Sequence, residues 1–400
     1  MDLNHGSMDK KVVVREFNRE KDWEVIEKLE RDCEIGSIKD FSILTNMLGD
    51  PLCRIRLYPL HVMLVAELVG NGEVVGVVRG CMKRVGTGLE TGQVWMSYIL
   101  GLRVSPKHRR MGIGLKLIKS VEDWAERNGA RYVFLATEEN NTASTNLFVL
   151  KCDYKKLSSL AILFQPVEAC SKRNPSGDVR IEKLTVEQAT SLYKDRLGGE
   201  KFFPADIDAI LKEELSLGTW VSYFKEEHWD GLHCKQHDSK FLSKTPSSWA
   251  ILSMWKTYEV YKLQIKGAHS VRCINTTLSH IRSKILRCLR APSCCELLSG
   301  PFGFLFLYGL HGEGERMGDL MKSLWCFAFS LAKDVTDCKA IATEVSNCDP
   351  LCGHLSWGSS ISRINDVWCL KKLGDGAGND SINWTAASQL SRVFVDPRDF

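Results

Sequence analysis

Two short strings that each occur twice constrain this 400-residue chain most. Arg110-Met111-Gly112 returns as Arg316-Met317-Gly318, and Ala136-Thr137-Glu138 returns as Ala342-Thr343-Glu344 at the same separation. In each copy the two strings bracket an amphipathic helical stretch followed by a strand. One three-residue identity arises by chance; two in register within one element pattern read as a tandem duplication. The chain is also too long for one ordinary core. We read residues 1–169 as a first unit and 179–400 as a second. Residues 170–178, with Lys, Asn, Pro, Ser and Gly together, read as a linker.

Within the first unit, residues 12–17 read as a strand. Residues 22–32 read as a helix with Trp23, Ile26 and Leu29 on one face, and 42–48 as a second short helix ending before Gly49-Asp50-Pro51. Residues 61–68 and 74–83 are Val- and Leu-rich, and Asn71-Gly72 between them is a strong hairpin signal. A strand over 96–104 leads into a helix over 113–128, with Leu115, Ile118, Val121 and Ala125 inward and Asn128-Gly129 as its stop. A strand at 132–136, a helix at 141–151 with Ala143, Leu147 and Leu150 inward, and a strand at 161–164 close the unit. The second unit opens with a strand at 179–184, and a polar loop over about 226–246 interrupts it. This order predicts a mixed α/β class.

Composition narrows the functional classes. The chain is 44% hydrophobic and 26% charged with a net charge of +4, so there is no basic stripe for nucleic acid. Fifteen cysteines, scattered and odd in number, point to a reducing compartment rather than a disulfide framework. The first residues carry no apolar core of signal-peptide length, and the longest apolar run, 301–310, is about half a bilayer span. The expectation is a nuclear or cytoplasmic protein with no membrane and no nucleic-acid partner.

The chemistry sits between the strand at 96–104 and the helix at 113. Gly112 and Gly114 let main-chain N–H groups approach a ligand with no Cβ in the way. They stand where a helix begins, so orphan amides and the positive dipole end face the turn. Arg109, Arg110 and Lys116 add charge, and the whole makes a site for a diphosphate. The second copy lacks these features. Leu320 stands where Gly114 does, Asp319 where Ile113 does, and Glu313 and Glu315 bring carboxylates. Only the first unit is expected to bind an anion.

The spacing Arg109-x-x-Gly112-x-Gly114 after Val104-x-Pro106 resembles motif A of the GCN5-related N-acetyltransferases. Asn141-x-Ala143, Leu147-Phe148 and Cys152-Asp153-Tyr154 resemble motif B. Blocks at Cys33-Glu34-Ile35-Gly36, Leu48-Gly49-Asp50-Pro51, 101–106, 215–218, 301–303, 312–314 and 394–400 resemble the plant hookless family of N-acetyltransferases over nearly the full length.

That resemblance implies tandem acetyltransferase domains, the second degenerate, with acetyl-CoA as co-substrate and an amine acceptor, a protein lysine or N-terminus among the candidates. It implies that the strand through Leu102, Arg103 and Val104 and the strand at 132–136 pair with the pantetheine arm. The amides of Arg110, Met111, Gly112, Ile113, Gly114 and Leu115 would hold the diphosphate, with Arg109 beside them. Asn141 would bond the pantetheine or the chain near it, and the N–H of Leu102 would stabilise the oxyanion. It also implies a role in regulating plant growth. Two departures stand out: Phe148 replaces the Tyr that often serves as acid, and Asp153 replaces a Gly. They leave open a chain that binds acetyl-CoA or CoA as a regulator or scaffold without turnover. For a base the sequence offers only Tyr98, Glu34 and Glu67.

Each reading has a plainer counterpart. Arg109 and Arg110 serve equally as solvated charges, Asn141 as a helix N-cap, Tyr98 as a packed sheet residue, and Glu34 and Glu67 as surface carboxylates. Two clusters, His228, His233, Cys234 and His237, then Cys348, Cys352 and His354, lack the paired spacing of a zinc site, so no metal is expected. Cys294 and Cys295 read as reduced thiols. Trp249, Trp255 and Trp325 read as core, with a peptide groove as the alternative.

Overall fold

The Val-, Leu- and aromatic-rich runs assemble into one sheet of 13 strands. The structure is a computed structural model that describes residues 11–33, 35–38, 41–88, 92–167, 177–229, 232, 245–266, 300–355, 362–374 and 392–400. From one edge run β1 (Val12–Glu16), β4 (Leu60–Leu68), β5 (Val74–Thr87), β6 (Gln93–Val104) and β7 (Tyr132–Glu138). From the other edge β9 (Val179–Leu184), β11 (Ser216–Phe224), β12 (Trp249–Lys256), β14 (Gly303–Glu313) and β15 (Cys338–Ser346) repeat that layout. In each set only the last two strands are parallel.

The two sets meet through an exchange. β16 (Ser362–Lys372), from the end of the chain, lies between β7 and β8 (Lys155–Pro166), antiparallel to both. β8 in turn pairs with β15 of the second set. β10 (Lys201–Pro204) adds to the end of β5. The closing strand of each half is therefore held by the other half.

The helices form for local reasons. Asn18 caps α1 (Arg19–Asp32), its carboxamide oxygen accepting from the amides of Glu20 and Lys21. Thr185 and Gln188 make a capping box at α4 (Val186–Leu197). α2 (Ile113–Arg127) buries Ile113, Leu117, Ile118, Val121 and Ala125 against one sheet face. Each such aliphatic side chain contributes about 1.5–3 kcal/mol on full burial. α6 (Met317–Lys333) covers the same face in the second half. The opposite face carries α1, α4 and α5 (Ile207–Lys212) in one core running through both halves. Trp249 and Trp255 are buried there and Trp325 stands on the buried side of α6, so all three are core. Residues 394–400 also pack on that face, with Phe400 stacked on Phe306 at 4.2 Å.

Two local expectations are corrected. Residues 42–48 are not helical: β3 (Phe41–Asn46) runs there, pairing with β2 (Ile35–Ile38) and with β13 (Lys262–Lys266). A strand partner more than 200 residues away overrides the local helical reading. After α3 (Thr142–Thr145) the chain takes a π-helical turn over Asn146–Lys151. Its wider pitch turns Phe148 inward and leaves Ala143 and Leu150 exposed. The Asn71-Gly72 hairpin forms as predicted, with Gly72 at φ +70°. Most of 170–178, and residues 230–231 and 233–244 of the polar loop, lie outside the described residues.

Candidate functional site

The notch begins where β6 and β7 part. Their parallel pairing covers only Met96↔Tyr132, Ser97↔Val133 and Tyr98↔Phe134. Beyond Tyr98, β6 stays on β5 and β7 stays on β16, so the facing edges diverge. Leu102, Arg103 and Val104 lie along one arm, and Ala136 to Glu138 along the other. Strand edges that diverge without a strand partner between them suit an extended ligand that hydrogen-bonds like a strand. A bulge marks the same place. Val77 pairs with Arg103 and Arg79 with Leu100, so β6 carries one residue more than β5, and Gly101 takes φ +62°.

The glycine turn closes the far end of the β6 arm. Pro106–His108 form a short 3-10 turn, Arg110 takes φ +67°, and Gly112 at φ +75° stands as the N-cap of α2. The first helical bond of α2 runs from the Lys116 amide to the Gly112 carbonyl at 3.1 Å. The amides of Met111 to Leu115 find no main-chain acceptor among the described residues. A Cβ placed on Gly112 meets nothing within 4 Å, so the turn is open to solvent. At Gly114 a Cβ would press Leu147 at 3.1 Å, so that glycine lets α3 and its π turn approach α2. Arg109 folds back, its Nε donating to the Val104 carbonyl at 3.3 Å, while Arg110, Met111 and Lys116 are exposed. Orphan amides, a helix N-terminus and exposed cations together fit the diphosphate of a coenzyme.

The matching turn of the second half is shut. A Cβ on Gly318 would lie 2.5 Å from Nδ1 of His354, on α7 (Pro350–His354). Arg316 is paired with Glu226, and Glu313 with Arg196. Protein and carboxylates occupy the place a phosphate needs.

The other predicted residues fall as follows. Asn141 caps α3, its oxygen accepting from the Ser144 amide at 3.0 Å. Arg103 turns its side chain to Glu30 at 3.1 Å. Tyr98 is buried, stacks on Phe134 at 4.6 Å and donates to the Asp399 carbonyl at 3.3 Å; burial, then the Asp399 charge, holds its hydroxyl well above the usual phenol range. Glu67 pairs with Arg15 near the β1 edge. Glu34 lies outside the described residues, as do His233, Cys234, His237, Cys294 and Cys295. Among the described residues no three His, Cys, Asp or Glu side chains form a group able to hold a metal ion.

A group of carboxylates stands on the sheet face opposite α2 and α6. Asp366 of β16 is the direct cross-strand neighbour of Glu138 on β7. Glu344 of β15 feels the charges of Asp366 and Asp399 and accepts from the Trp368 indole at 2.9 Å. Burial pushes Glu344 up to about 8, the Asp366 charge adds to it, and the Trp368 bond opposes it. Burial, then Glu138, raises Asp366 to about 6, and burial raises Glu138 as well. Like charges directly opposite on a sheet are destabilising, and such clusters concentrate at functional sites. Glu138 and Glu344 end the repeated Ala-Thr-Glu strings. The sequence showed them as a mark of duplication, and nothing in it showed that Asp366 of β16 would stand between their strands.

Residues 23–154 match the model described as "Acetyltransferase (GNAT) family". The "Probable N-acetyltransferase HLS1-like" of Arabidopsis thaliana is 39% identical over 97% of this chain and 99% of its own length. "Acetyl transferase GW6a" of Oryza sativa subsp. japonica is 31% identical over 97% of each. The chain belongs to the hookless family of GCN5-related N-acetyltransferases. Saccharomyces cerevisiae N-myristoyltransferase, solved with bound myristoyl-CoA, shares the fold of this hookless-family chain. Its TM-score is 0.51 at 11% identity, over 90% of this chain and 79% of that one. As a hookless-family protein the chain is an acyltransferase of the GNAT type. Its two departures have physical settings. Phe148 is buried edge-on against Tyr154 at 5.3 Å. Asp153 holds φ +59°, a conformation glycine adopts more cheaply.

Proposed function

We infer that the first half binds acetyl-CoA and that the chain passes the acetyl group to a primary amine, a protein lysine or N-terminus. One observation carries this reading: an open turn of orphan amides at Gly112 stands at the end of strand edges that diverge from Tyr98 and Phe134. The turn would hold the diphosphate with the amides of Arg110 to Leu115, and the edges of β6 and β7 would hold the pantetheine arm. The coenzyme supplies an activated thioester. The Leu102 N–H, beside the bulge, is the donor we assign to the developing oxyanion.

The amine must shed a proton before it attacks. Asp366 and Glu344, both raised toward neutrality, are suited to accept it directly or through water. The thiolate of the coenzyme is a good leaving group, so the buried Phe148 does not forbid turnover. The hookless family likeness further supports a part in regulating plant growth, in the nucleus or cytoplasm.

Mass spectrometry of lysine and amino-terminal peptides incubated with labelled acetyl-CoA tests this reading. We expect label on an acceptor amine. Binding of acetyl-CoA with no labelled product on any acceptor would favour the rival, a CoA-binding regulator, for which Phe148 in place of Tyr is the supporting observation.

Glu344 gives a second test. Its folded-state pKa lies above its ordinary value of 4.5, so the stability linked to it is present below that value and is lost as pH rises through about 8. Glu344→Gln keeps the Trp368 acceptor and removes the charge. The variant should melt a few degrees above wild type at pH 8 and no higher at pH 4.5, read by circular dichroism. Its acetyl transfer should lose part of the rise in rate between about pH 6 and 8.

A further inference from the structure

Arg79 lies behind the notch and belongs to no ligand contact described above. It is fully buried on β5. Its Nε donates to the Pro51 carbonyl at 2.7 Å, and one terminal nitrogen donates to Glu30 at 2.8 Å and lies 3.5 Å from the Gly101 carbonyl. A Cβ on Gly101 would sit 2.5 Å from that nitrogen, so the guanidinium fills the space under the bulge. Glu30 takes Arg103 on its other oxygen at 3.1 Å. Burial works against ionising Glu30, yet the Arg79 and Arg103 charges hold it below the ordinary range. One charged unit thus ties α1, the chain at Pro51, and both sides of the β6 bulge.

The second half shows that a bulge does not need this unit. There Ile251 pairs with His311 and Ser253 with Tyr308, and Gly309 takes φ +62°. Ser253 stands in register where Arg79 does, and bonds the Tyr193 hydroxyl at 2.8 Å and the Thr219 hydroxyl at 2.7 Å. A neutral hydroxyl network supports the bulge of the half whose turn is blocked. A buried ion pair supports the bulge of the half whose turn is open, although neutral packing is often no less stable than a buried pair.

We propose that Arg79, held by Glu30, is a positioning residue for acyl transfer. It fixes the peptide between Gly101 and Leu102 so that the Leu102 N–H and the β6 edge meet the thioester arm. Its bond to the Gly101 carbonyl polarises the same peptide, which strengthens that N–H as a donor. The proposal rests on the acetyl-CoA reading and goes beyond it by naming what sets the geometry of the arm.

Calorimetry with two probes tests it: acetyl-CoA, and adenosine 3′-phosphate 5′-diphosphate, which has the diphosphate but no arm. Arg79→Met combined with Glu30→Gln removes both members of the buried pair and leaves Arg103 a neutral acceptor in place of the carboxylate, and Arg79→Lys keeps the charge without the fork should the double variant fail to fold. In either folded variant we expect wild-type affinity for the nucleotide, at least tenfold weaker acetyl-CoA binding, and a fall in kcat beyond the change in KM. Unchanged acetyl-CoA affinity and kcat would overturn the proposal, as would an equal loss for both probes. A wild-type protein that binds neither probe would instead overturn the acetyl-CoA reading.

Discussion

Gly112→Asp is expected to weaken acetyl-CoA binding at least a hundredfold while the chain still folds. The N-cap of α2 is open, so the new side chain meets no protein atom within 4 Å at its Cβ. Asp tolerates the left-handed φ of +75° better than most residues and is a favourable N-cap. The helix therefore loses little. The ligand loses much. The carboxylate would take the orphan amides for itself and set a negative charge where the diphosphate must lie. Charge-assisted hydrogen bonds are worth about 1.5–3 kcal/mol each, and about 1.4 kcal/mol is tenfold in affinity. Gly112→Asn, of the same shape without the charge, should fall between the two. Calorimetric titration reads the affinities and a thermal melt reads the fold. Wild-type heat of binding in the Asp variant would remove the diphosphate site from the glycine turn.

The first unit, residues 1–169 expressed alone, is expected not to fold. β7 would keep only its three-residue pairing with β6, and β8 would lose both of its partners, β16 and β15. Phe134, Leu157, Leu160 and Leu163 would lose the buried surroundings that Trp368, Leu370, Ala342 and their neighbours provide. At about 1.5–3 kcal/mol for each large apolar side chain, these losses rival the whole stability of a typical domain, about 5–15 kcal/mol. Co-expression with residues 177–400 as a separate chain should restore a folded complex. Dispersed amide resonances from 1–169 alone would contradict this account.

What could be read from the chain follows the range of the forces involved. The hairpin at Asn71-Gly72, the helix behind Gly112, the strand at 179–184 and the exchange of glycine for Leu320 at the second turn are set by neighbours in sequence. Glycine conformations, caps and hydrophobic period act within a few residues. The short helix expected at 42–48 failed because β13 supplies a distant strand partner. The inward Leu150 failed because a π turn shifts the phase of the helix.

By itself, then, the sequence determined the doubled strand and helix plan and a glycine turn at the head of one helix, since both lie in local runs of residues. Only the tertiary structure decided that β16 enters the first half, that Glu138, Asp366 and Glu344 share one face, and that Arg79 props the bulge beside Leu102. Those contacts join residues tens to hundreds of positions apart. Sheet register and burial bring them together, and neither is encoded in any one stretch of chain.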